Sequence, residues 1–331
     1  MNYRRLGKTG LEVSEVSLGT WQVGGRWGEP FDSATAERII EKAIDGGVNF
    51  IDTADVYGDR LSEATVGRVV KRHLARGERI HVATKCGRFI NPHVDANYSP
   101  AALRGYVEAS LENLGLDTLD LIQLHCPPEA TYARAEIFGL FDDLKREGKI
   151  SNLGVSVETI DQALQAIQYP NVTTIQVIFN MFRSRPSEVF FGEAHRKDVG
   201  IIARVPLASG LLSGRYTSHT EFGKGDHRTF NREGAAFDKG ETFSGVDYAT
   251  GLRAVEDLKA LFPAGTDLAS WALRWVLMFP EVSTVIPGAS RVDQVASNLA
   301  AAAVRPLTSH EMAGVADVYA RVVKPGVHHL W

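Results

Sequence analysis

Four polar side chains follow short apolar runs of the sequence and are suited to proton transfer at a carbonyl group. The runs NFIDTADVYG, IHVATKCG and LDLIQLHCP carry Asp52 with Tyr57, Lys85, and His125, respectively. If each run is a strand of one parallel barrel, these side chains gather at the carboxyl ends of neighbouring strands, where barrel enzymes build their active sites. A carboxylate, a phenol, an ammonium and an imidazole would then share one site.

Each of these groups has a predicted role. A phenol has a reference pKa of about 10, which is too high for an efficient acid at neutral pH. An ammonium about 4 Å away interacts with a phenolate by roughly 4 kcal/mol at an effective dielectric of about 20, or about 3 pKa units. We therefore expect Lys85 to bring the pKa of Tyr57 close to neutrality. Asp52 would keep Lys85 charged, and His125 would hydrogen-bond the substrate oxygen.

The elements that position these residues follow from the alternation of apolar runs with helix-like segments. The predicted strands are residues 16–20, 49–53, 80–85, 120–125, 151–156, 174–179, 200–205 and 283–287. Strict alternation indicates a parallel sheet with helical crossovers, and eight units close a (β/α)8 TIM barrel. A doubly wound sheet is the competing architecture, but the chain lacks its GxGxxG fingerprint. One predicted helix is capped by Ser99, has Pro100 in its first turn and stops at Gly115.

Two segments fall outside this alternation. The residues YRRLGKTGLEVS indicate a hairpin around KTG that would plug the bottom of the barrel. The stretch from about Ser209 to Gly251 is rich in Gly, Ser, Thr and charge, and predicts a long loop after strand seven that acts as a lid over cofactor or substrate. Because no linker divides the chain, we expect residues 1–331 to form a single domain.

Composition narrows the class of protein. The chain has 331 residues, 44% of them hydrophobic, and a net charge of -4 without a basic run, which argues against nucleic acid as a partner. It has neither a membrane-length apolar stretch nor the apolar stretch of a secretory signal, so we expect a cytoplasmic protein with no membrane partner. Cys86 and Cys126 cannot form a disulfide framework. No histidine spacing indicates a metal site.

At these motifs the chain resembles the aldo-keto reductases. GVNFIDTADVYG, ATKCG and DLIQLHCP match that family's Asp, Tyr, Lys and His tetrad, and the likeness runs from LGKTGLEVSEVSLGTW to NLAA near residue 300. The resemblance implies an eight-stranded barrel that uses NADPH to reduce an aldehyde or ketone. Hydride would reach the carbonyl carbon while Tyr57 protonates its oxygen.

The resemblance also implies a set of cofactor contacts. Ser156 and Gln176 would bind the nicotinamide carboxamide, and Asn180 lies in the same segment. Arg204 stands where many relatives carry an aromatic ring that stacks on the nicotinamide, and a guanidinium plane can stack in its place. The other contacts are assigned to Gly19, Thr20, Trp21, Asp52, Val205, Pro206, Leu207, Ser209, Leu211 and Arg215.

The segment IPGASRVDQVASNLAA resembles the part of the family that holds the adenosine 2'-phosphate. A strand that leads through Gly288 into a helix offers unpaired backbone N–H groups and a positive dipole end, and Arg291 adds a fork suited to phosphate. Asp293 opposes a phosphate and favours NADH, but with Arg291 at this position NADPH is the expected cofactor and NADH the alternative. Ser290, Gln294 and Asn298 would complete the adenosine site.

The sequence predicts a substrate pocket but does not name the substrate, and it leaves other activities open. The pocket residues are Trp21, Tyr57, Arg88, Phe89 and His125. A sugar or alcohol dehydrogenase would use the same residues, and a Schiff-base aldolase would use Lys85 as its amine. The GAS and PLASGLLSG segments are also similar to those of potassium-channel β-subunits, which regulate a partner. His125 favours an enzyme, because the channel subunits depart from histidine there.

Overall fold

The protein is described by a computed structural model that covers residues 1–25 and 28–331. Strands and helices are numbered in chain order. Two strands, β1 (Tyr3–Arg5) and β2 (Glu12–Ser14), form a small antiparallel sheet. The parallel strands are β3 (Leu18–Gly19), β4 (Phe50–Asp52), β5 (His81–Cys86), β6 (Leu121–His125), β7 (Leu153–Ser156), β8 (Val172–Ile178), β9 (Gly200–Arg204) and β10 (Val282–Val285). Each overlaps one of the eight predicted runs.

The eight parallel strands pair in chain order from β3 to β10. Parallel bridges from Val16 to Val285 and from Gly19 to Gly288 bring the first strand against the last. The barrel interior is thereby nearly closed, and the predicted (β/α)8 TIM barrel is confirmed. Because all eight strands run in one direction, their carboxyl ends surround a single face of the molecule.

Helices cover the outside of the barrel. They are α1 (Ser33–Asp45), α2 (Leu61–Leu74), α3 (Pro100–Leu114), α4 (Ala135–Arg146), α5 (Ile160–Ala166), α6 (Pro186–Arg196), α7 (His227–Phe230), α8 (Tyr248–Lys259), α9 (Leu268–Leu277), α10 (Val292–Ala300), α11 (Ser309–Val318) and α12 (Lys324–Val327). The prediction for α3 is confirmed: Ser99 Oγ accepts from Ala102 N at 3.2 Å, and Gly115 ends the helix at a φ of 61°. None of the helices in the described ranges is long and apolar enough to cross a membrane.

The hairpin of β1 and β2 closes the amino-terminal end of the barrel, as predicted. Its buried Leu6 and Val13 pack with Phe50 and other interior side chains of the strands. The hairpin lies close to β9, since a Cβ atom on Gly200 at the start of that strand would lie 2.8 Å from the Leu6 carbonyl carbon. Only the opposite, carboxyl-terminal end of the barrel is left for a site.

The connection after β9 is long, as predicted, but it is built from short turns of helix. It contains α7 and three 3-10 turns, at Ala208–Ser213, Lys239–Glu241 and Phe243–Gly245. Asp226 and Asp238 cap two of these turns through their carboxylates. We call residues 205–247 the long loop.

Candidate active site

The four residues of the predicted tetrad meet at the carboxyl-terminal face. Asp52 ends β4, Lys85 lies near the end of β5, His125 ends β6, and Tyr57 lies in the turn between β4 and α2. Lys85 Nζ donates to Asp52 Oδ2 at 2.5 Å and to Thr53 O at 2.9 Å, and it lies 3.5 Å from the Tyr57 oxygen. The His125 ring stands edge-on to the Tyr57 ring at a centroid distance of 6.0 Å. The structure therefore gathers all four side chains.

Two glutamine amides hold the other oxygen of Asp52. Gln123 Nε2 donates to Asp52 Oδ1 at 3.0 Å, and Gln176 Nε2 donates to the same atom at 2.7 Å. A buried ion pair is tolerated only when its remaining polar atoms are also bonded, and these amides supply those bonds. Gln123 was not predicted, although it precedes His125 by two residues and so shares its strand face.

The prediction that Lys85 brings the pKa of Tyr57 towards neutrality is wrong for this structure. Burial raises the pKa of Tyr57 above 10; the Lys85 charge opposes this shift, and the Asp52 carboxylate adds to it. The reason is that Asp52 contacts the same ammonium and offsets much of its charge, while burial penalises the phenolate. Tyr57 is therefore a protonated hydroxyl at neutral pH, which suits a proton donor.

His125 is held neutral. Burial lowers the pKa of His125 well below 6.5, and the positive charges of Lys85, Arg88 and Arg204 lower it further. A neutral imidazole carries one N–H and one acceptor nitrogen. The ring can therefore offer an N–H to a substrate oxygen without competing with Tyr57 for the transferred proton.

The residues predicted to contact the nicotinamide lie at this face, but one of them, Gln176, also bonds the tetrad. Ser156 ends β7 and is buried, with Oγ 3.6 Å from Cys126 Sγ. Gln176 gives its amide to Asp52 and also donates to Gln123 Oε1 at 3.1 Å. In this structure Gln176 therefore supports the carboxylate of the tetrad. Thr20 Oγ1 donates to the backbone oxygen of Asp52 at 3.0 Å.

The Arg204 guanidinium is bonded at its edge, and its stacking on a nicotinamide stays a prediction. Its Nη1 makes a close ion pair with Glu241 of the long loop, and its Nη2 donates to Val157 O at 3.0 Å. Ser209 Oγ donates to the backbone oxygen of Glu241 at 2.9 Å, so the same loop residue is held twice. Asn180 donates to Val205 O at 2.9 Å and also braces the loop. Arg204 and Asn180 thus fasten the long loop to the barrel, and Ser209 ties two parts of that loop together.

The other predicted residues of the long loop differ in exposure. Leu211 is buried in the main core, whereas Arg215 is largely exposed and lies 3.6 Å from Asp267. Pro206 is buried, and Val205 and Leu207 are partly buried. Arg215 is the charged member of this group, and its contact with the cofactor stays a prediction.

The segment after β10 forms a polar cradle at the start of α10. Gln294 Oε1 accepts from Ser290 N at 2.8 Å and from Arg291 N at 3.2 Å, and Asn298 Nδ2 donates to Gly288 O at 3.1 Å. The Arg291 fork contacts Asp293 at 3.0 and 2.9 Å. Ser290 and Arg291 line a cavity of about 400 Å³ whose opposite wall is the segment after β3 and the start of α1.

This segment fits an adenosine phosphate group. Among the described residues, a Cβ atom on Gly288 would meet only Gly19 O, at 3.8 Å, so the backbone there lies open to a ligand. The helix start supplies a positive dipole end, and Arg291 supplies a cation. The prediction of unpaired backbone N–H groups is wrong for Ser290 and Arg291, because the Gln294 side chain accepts from both. Gly19 itself is confined, because its Cβ position lies 2.8 Å from Ile286 O.

The substrate side of the site is formed by the tetrad, Trp21 and the long loop. Trp21 stacks near Tyr57 at a ring-centroid distance of 6.3 Å, and it also lies near the rings of His227 at 5.3 Å and Phe237 at 5.9 Å. Neither loop residue was predicted, because no local pattern places a long loop over a particular ring. Phe89, in contrast, stacks on Tyr106 of α3 at 6.3 Å.

A buried carboxyl beside the tetrad predicts a pH-dependent stability. Asp55 is fully buried, and neither of its carboxylate oxygens has a hydrogen-bond partner among the described residues. Burial, with a smaller effect of the Glu63 carboxylate, raises the pKa of Asp55 from 3.8 to about 7. The folded state holds this proton more tightly than the unfolded state. The stability that the protonated Asp55 carboxyl contributes is therefore fully present below the pKa of Asp55 in the unfolded chain. It is lost as the pH rises to about 7.

Asp55→Asn removes this titration. Its unfolding free energy relative to wild type should rise by roughly 2 to 3 kcal/mol between pH 5 and pH 8, measured by urea unfolding. Asp45→Asn, at an exposed position on α1, is the control and should show a difference that does not change with pH. A pH-independent difference for Asp55→Asn would show that this carboxyl is ionised in the folded protein throughout that range.

Comparisons with known proteins agree with this geometry. The Aldo/keto reductase family matches residues 15–320. The NADH-specific methylglyoxal reductase of Escherichia coli is 30% identical, over 89% of this chain and 92% of that protein. A glycerol dehydrogenase from Gluconobacter oxydans superimposes with a TM-score of 0.78 at 32% identity, over 97% and 96% of the two chains. A probable voltage-gated potassium channel subunit beta of Arabidopsis thaliana is 28% identical, over 93% of each chain.

The chain therefore belongs to the Aldo/keto reductase family, and the resemblance found in its motifs is confirmed. Its relatives include both oxidoreductases and a probable channel subunit. Within the described part of the chain, no cluster of three or more His, Cys, Asp or Glu side chains is arranged to hold a metal ion.

Proposed function

We propose that the protein is an NADPH-dependent oxidoreductase that reduces an aldehyde or ketone to the alcohol, with Tyr57 as the proton donor. The observation that carries this proposal is the contact of one buried ammonium with both Asp52 and the Tyr57 hydroxyl. A proton that leaves Tyr57 creates a phenolate 3.5 Å from Lys85 Nζ, where the positive charge stabilises it. His125 stands beside the same hydroxyl as a neutral hydrogen-bond donor.

The residues of this chain orient the carbonyl and move the proton. The substrate oxygen would lie between the Tyr57 hydroxyl and the His125 ring, and it would receive the phenolic proton as negative charge develops on it. A bound nicotinamide cofactor supplies the hydride, which none of these side chains can provide. Asp52 keeps Lys85 in place, and Gln123 and Gln176 keep Asp52 in place. We expect a small carbonyl compound as the partner.

A substrate screen tests the proposal. Purified protein should oxidise NADPH in the presence of an aldehyde or ketone, followed by absorbance at the nicotinamide band, and should form the matching alcohol. The absence of any carbonyl-dependent oxidation of NADPH or NADH, with tight cofactor binding retained, would instead favour the regulatory function. His125 supports catalysis, because it supplies a donor at the place where the substrate oxygen would bind.

A second candidate is a sugar or alcohol dehydrogenase that works in the opposite direction. The similarity to a glycerol dehydrogenase favours it. The raised pKa of Tyr57 favours reduction, because a protonated phenol is ready to donate while oxidation needs a base. Comparison of kcat/KM for a carbonyl and its alcohol at one pH would decide between the directions.

We place the protein in the cytoplasm, which its two free, buried cysteines support.

The cofactor preference depends on Arg291 and Asp293. Their ion pair is exposed, and such pairs contribute only about 0 to 1 kcal/mol, so a phosphate can displace the Asp293 carboxylate from the guanidinium. A charge-assisted contact to phosphate is stronger, at about 1.5 to 3 kcal/mol. This difference supports NADPH, although the Escherichia coli relative is described as NADH-specific.

Arg291→Ala should raise the Kd of NADPH by about 10- to 100-fold and change that of NADH little, since only NADPH carries the 2'-phosphate. Asp293→Asn should tighten NADPH, because it removes a negative charge beside that phosphate. Fluorescence titration with both nucleotides measures the two effects, and Arg253→Ala on α8 serves as the control. Equal losses of NADPH and NADH in Arg291→Ala would refute the assignment of the phosphate site.

A further inference from the structure

Two ion pairs stand beside the tetrad at the carboxyl-terminal face. Arg88 follows β5 by two residues and Glu158 follows β7 by two residues, with Arg88 Nη1 3.5 Å from Glu158 Oε1. The second pair joins Arg204, at the end of β9, to Glu241 of the long loop. β6, which ends at His125, lies between β5 and β7. The Arg88–Glu158 pair therefore spans the strand that carries the imidazole.

Both pairs act on the two residues that address the carbonyl oxygen. The charges of Arg88 and Arg204 lower the pKa of His125, and the Glu241 carboxylate raises the pKa of Tyr57. Charge interactions weaken with distance, so effects of this kind require the pairs to lie close to the tetrad. The space above Tyr57 and His125 is therefore bordered by charged side chains as well as by aromatic rings.

The two pairs differ in how many of their polar atoms remain available to hydrogen-bond a ligand. Arg204 and Glu241 are 9% and 12% exposed in their side chains, and Arg204 is bonded to both Glu241 and Val157 O. The side chains of Arg88 and Glu158 are 23% and 24% exposed. In the described part of the chain, the Arg88 guanidinium donates no hydrogen bond and the Glu158 carboxylate accepts none. Their polar atoms, in partly buried side chains, therefore remain available to hydrogen-bond a ligand.

We propose that Arg88 and Glu158 bind hydroxyl groups of the substrate, so that the enzyme selects neutral carbonyl compounds with hydroxyl groups next to the carbonyl. This inference rests on the proposed carbonyl reduction. A hydroxyl group donates and accepts at once and can satisfy a guanidinium and a carboxylate together. An apolar substrate would displace water from both groups and leave them only their contact with each other, and sites built to bond a hydroxyl reject such analogues strongly.

Charge balance explains why the preference is for neutral substrates. Arg88 and Arg204 are matched by Glu158 and Glu241, and Lys85 is matched by Asp52. A carboxylate-bearing substrate would gain one arginine but would also meet Glu158 within the same pair. These charged side chains therefore sum to no net charge beside the tetrad, and they offer polar contacts to a neutral substrate.

The experiment compares three aldehydes with the wild-type enzyme and its cofactor: glyceraldehyde, which is neutral and hydroxylated; propanal, its apolar counterpart of equal carbon number; and succinic semialdehyde, which is anionic. We expect kcat/KM for glyceraldehyde to exceed that for propanal by about tenfold or more. Arg88→Met and Glu158→Leu should each lower the glyceraldehyde-to-propanal ratio of kcat/KM by about tenfold or more.

Glu158→Gln is the conservative variant. It keeps a hydrogen-bond acceptor but removes a negative charge. It should therefore retain most of the glyceraldehyde preference and raise the succinic semialdehyde-to-propanal ratio of kcat/KM. Arg104→Met, which breaks an exposed ion pair with Glu147 on the helical surface, is the matched control. It should leave the relative kcat/KM values of the three aldehydes unchanged. Thermal unfolding of each variant shows whether it is folded.

Two outcomes overturn the inference and leave carbonyl reduction intact. One is a wild-type enzyme that reduces propanal as efficiently as glyceraldehyde. The other is a folded Arg88→Met or Glu158→Leu variant whose substrate ratios equal those of wild type. A wild-type protein that reduces none of the aldehydes with either nicotinamide cofactor would instead refute the proposed function on which the inference rests.

Discussion

Tyr57→Phe should lose nearly all carbonyl reduction and keep its cofactor. The substitution removes the hydroxyl that lies 3.5 Å from Lys85 Nζ but retains the ring that packs beside Trp21 and His125. A positioned acid contributes about 10²- to 10⁴-fold to a rate, so kcat should fall by that factor while the Kd of NADPH stays close to wild type.

Stopped-flow absorbance and fluorescence titration measure these two quantities. Tyr106→Phe on α3, which removes a phenolic hydroxyl outside the tetrad, is the matched control and should behave as wild type. Near-normal turnover by Tyr57→Phe would refute its role as the acid. A parallel loss of NADPH binding would show that the phenol holds the cofactor instead.

Lys85→Met should damage both stability and activity. It leaves Asp52 buried with a charge that only neutral amides contact, and breaking one partner of a buried ion pair costs about 3 to 5 kcal/mol. It also removes the positive charge that stabilises the phenolate of Tyr57. Urea unfolding should therefore show a large loss of stability, and turnover should fall by several orders of magnitude.

A double variant separates these two consequences. Asp52→Asn combined with Lys85→Met leaves no buried charge, and the Asn oxygen can still accept from Gln123 and Gln176. Most of the stability should return, while the activity should not. A double variant as unstable as Lys85→Met would show that the loss comes from packing, and recovery of turnover would refute the electrostatic role of Lys85.

The sequence predicts the part of the site that strand ends define. Asp52, Lys85 and His125 each follow an apolar run, and in a parallel barrel such positions must meet at one face. Gln123 could have been found by the same rule, since it lies two residues before His125 on β6. The turns and caps around α3 were also predictable, because Ser99, Pro100 and Gly115 act locally.

Other features depend on contacts between distant segments. Arg204 and Glu241 are 37 residues apart, and their pairing depends on the path of the long loop. The pKa of Tyr57 depends on the difference between burial and a lysine charge that Asp52 partly neutralises, and a sequence gives neither magnitude. Arg291 was predicted as a phosphate contact, but its guanidinium also pairs with the Asp293 carboxylate, which would compete with a phosphate.

The hairpin that closes the barrel also constrains how the chain folds. Arg4 donates to the backbone oxygens of Leu277 and Val282 at 2.8 Å each, and Val16 pairs with Val285. Residues near the start of the sequence therefore cannot complete their native contacts until residues nearly 280 positions later have been synthesised. Contacts of such sequence separation slow folding, because a large loop-closure entropy is lost before they form. We expect barrel closure to be a late step, completed only after the ribosome has made nearly the whole chain.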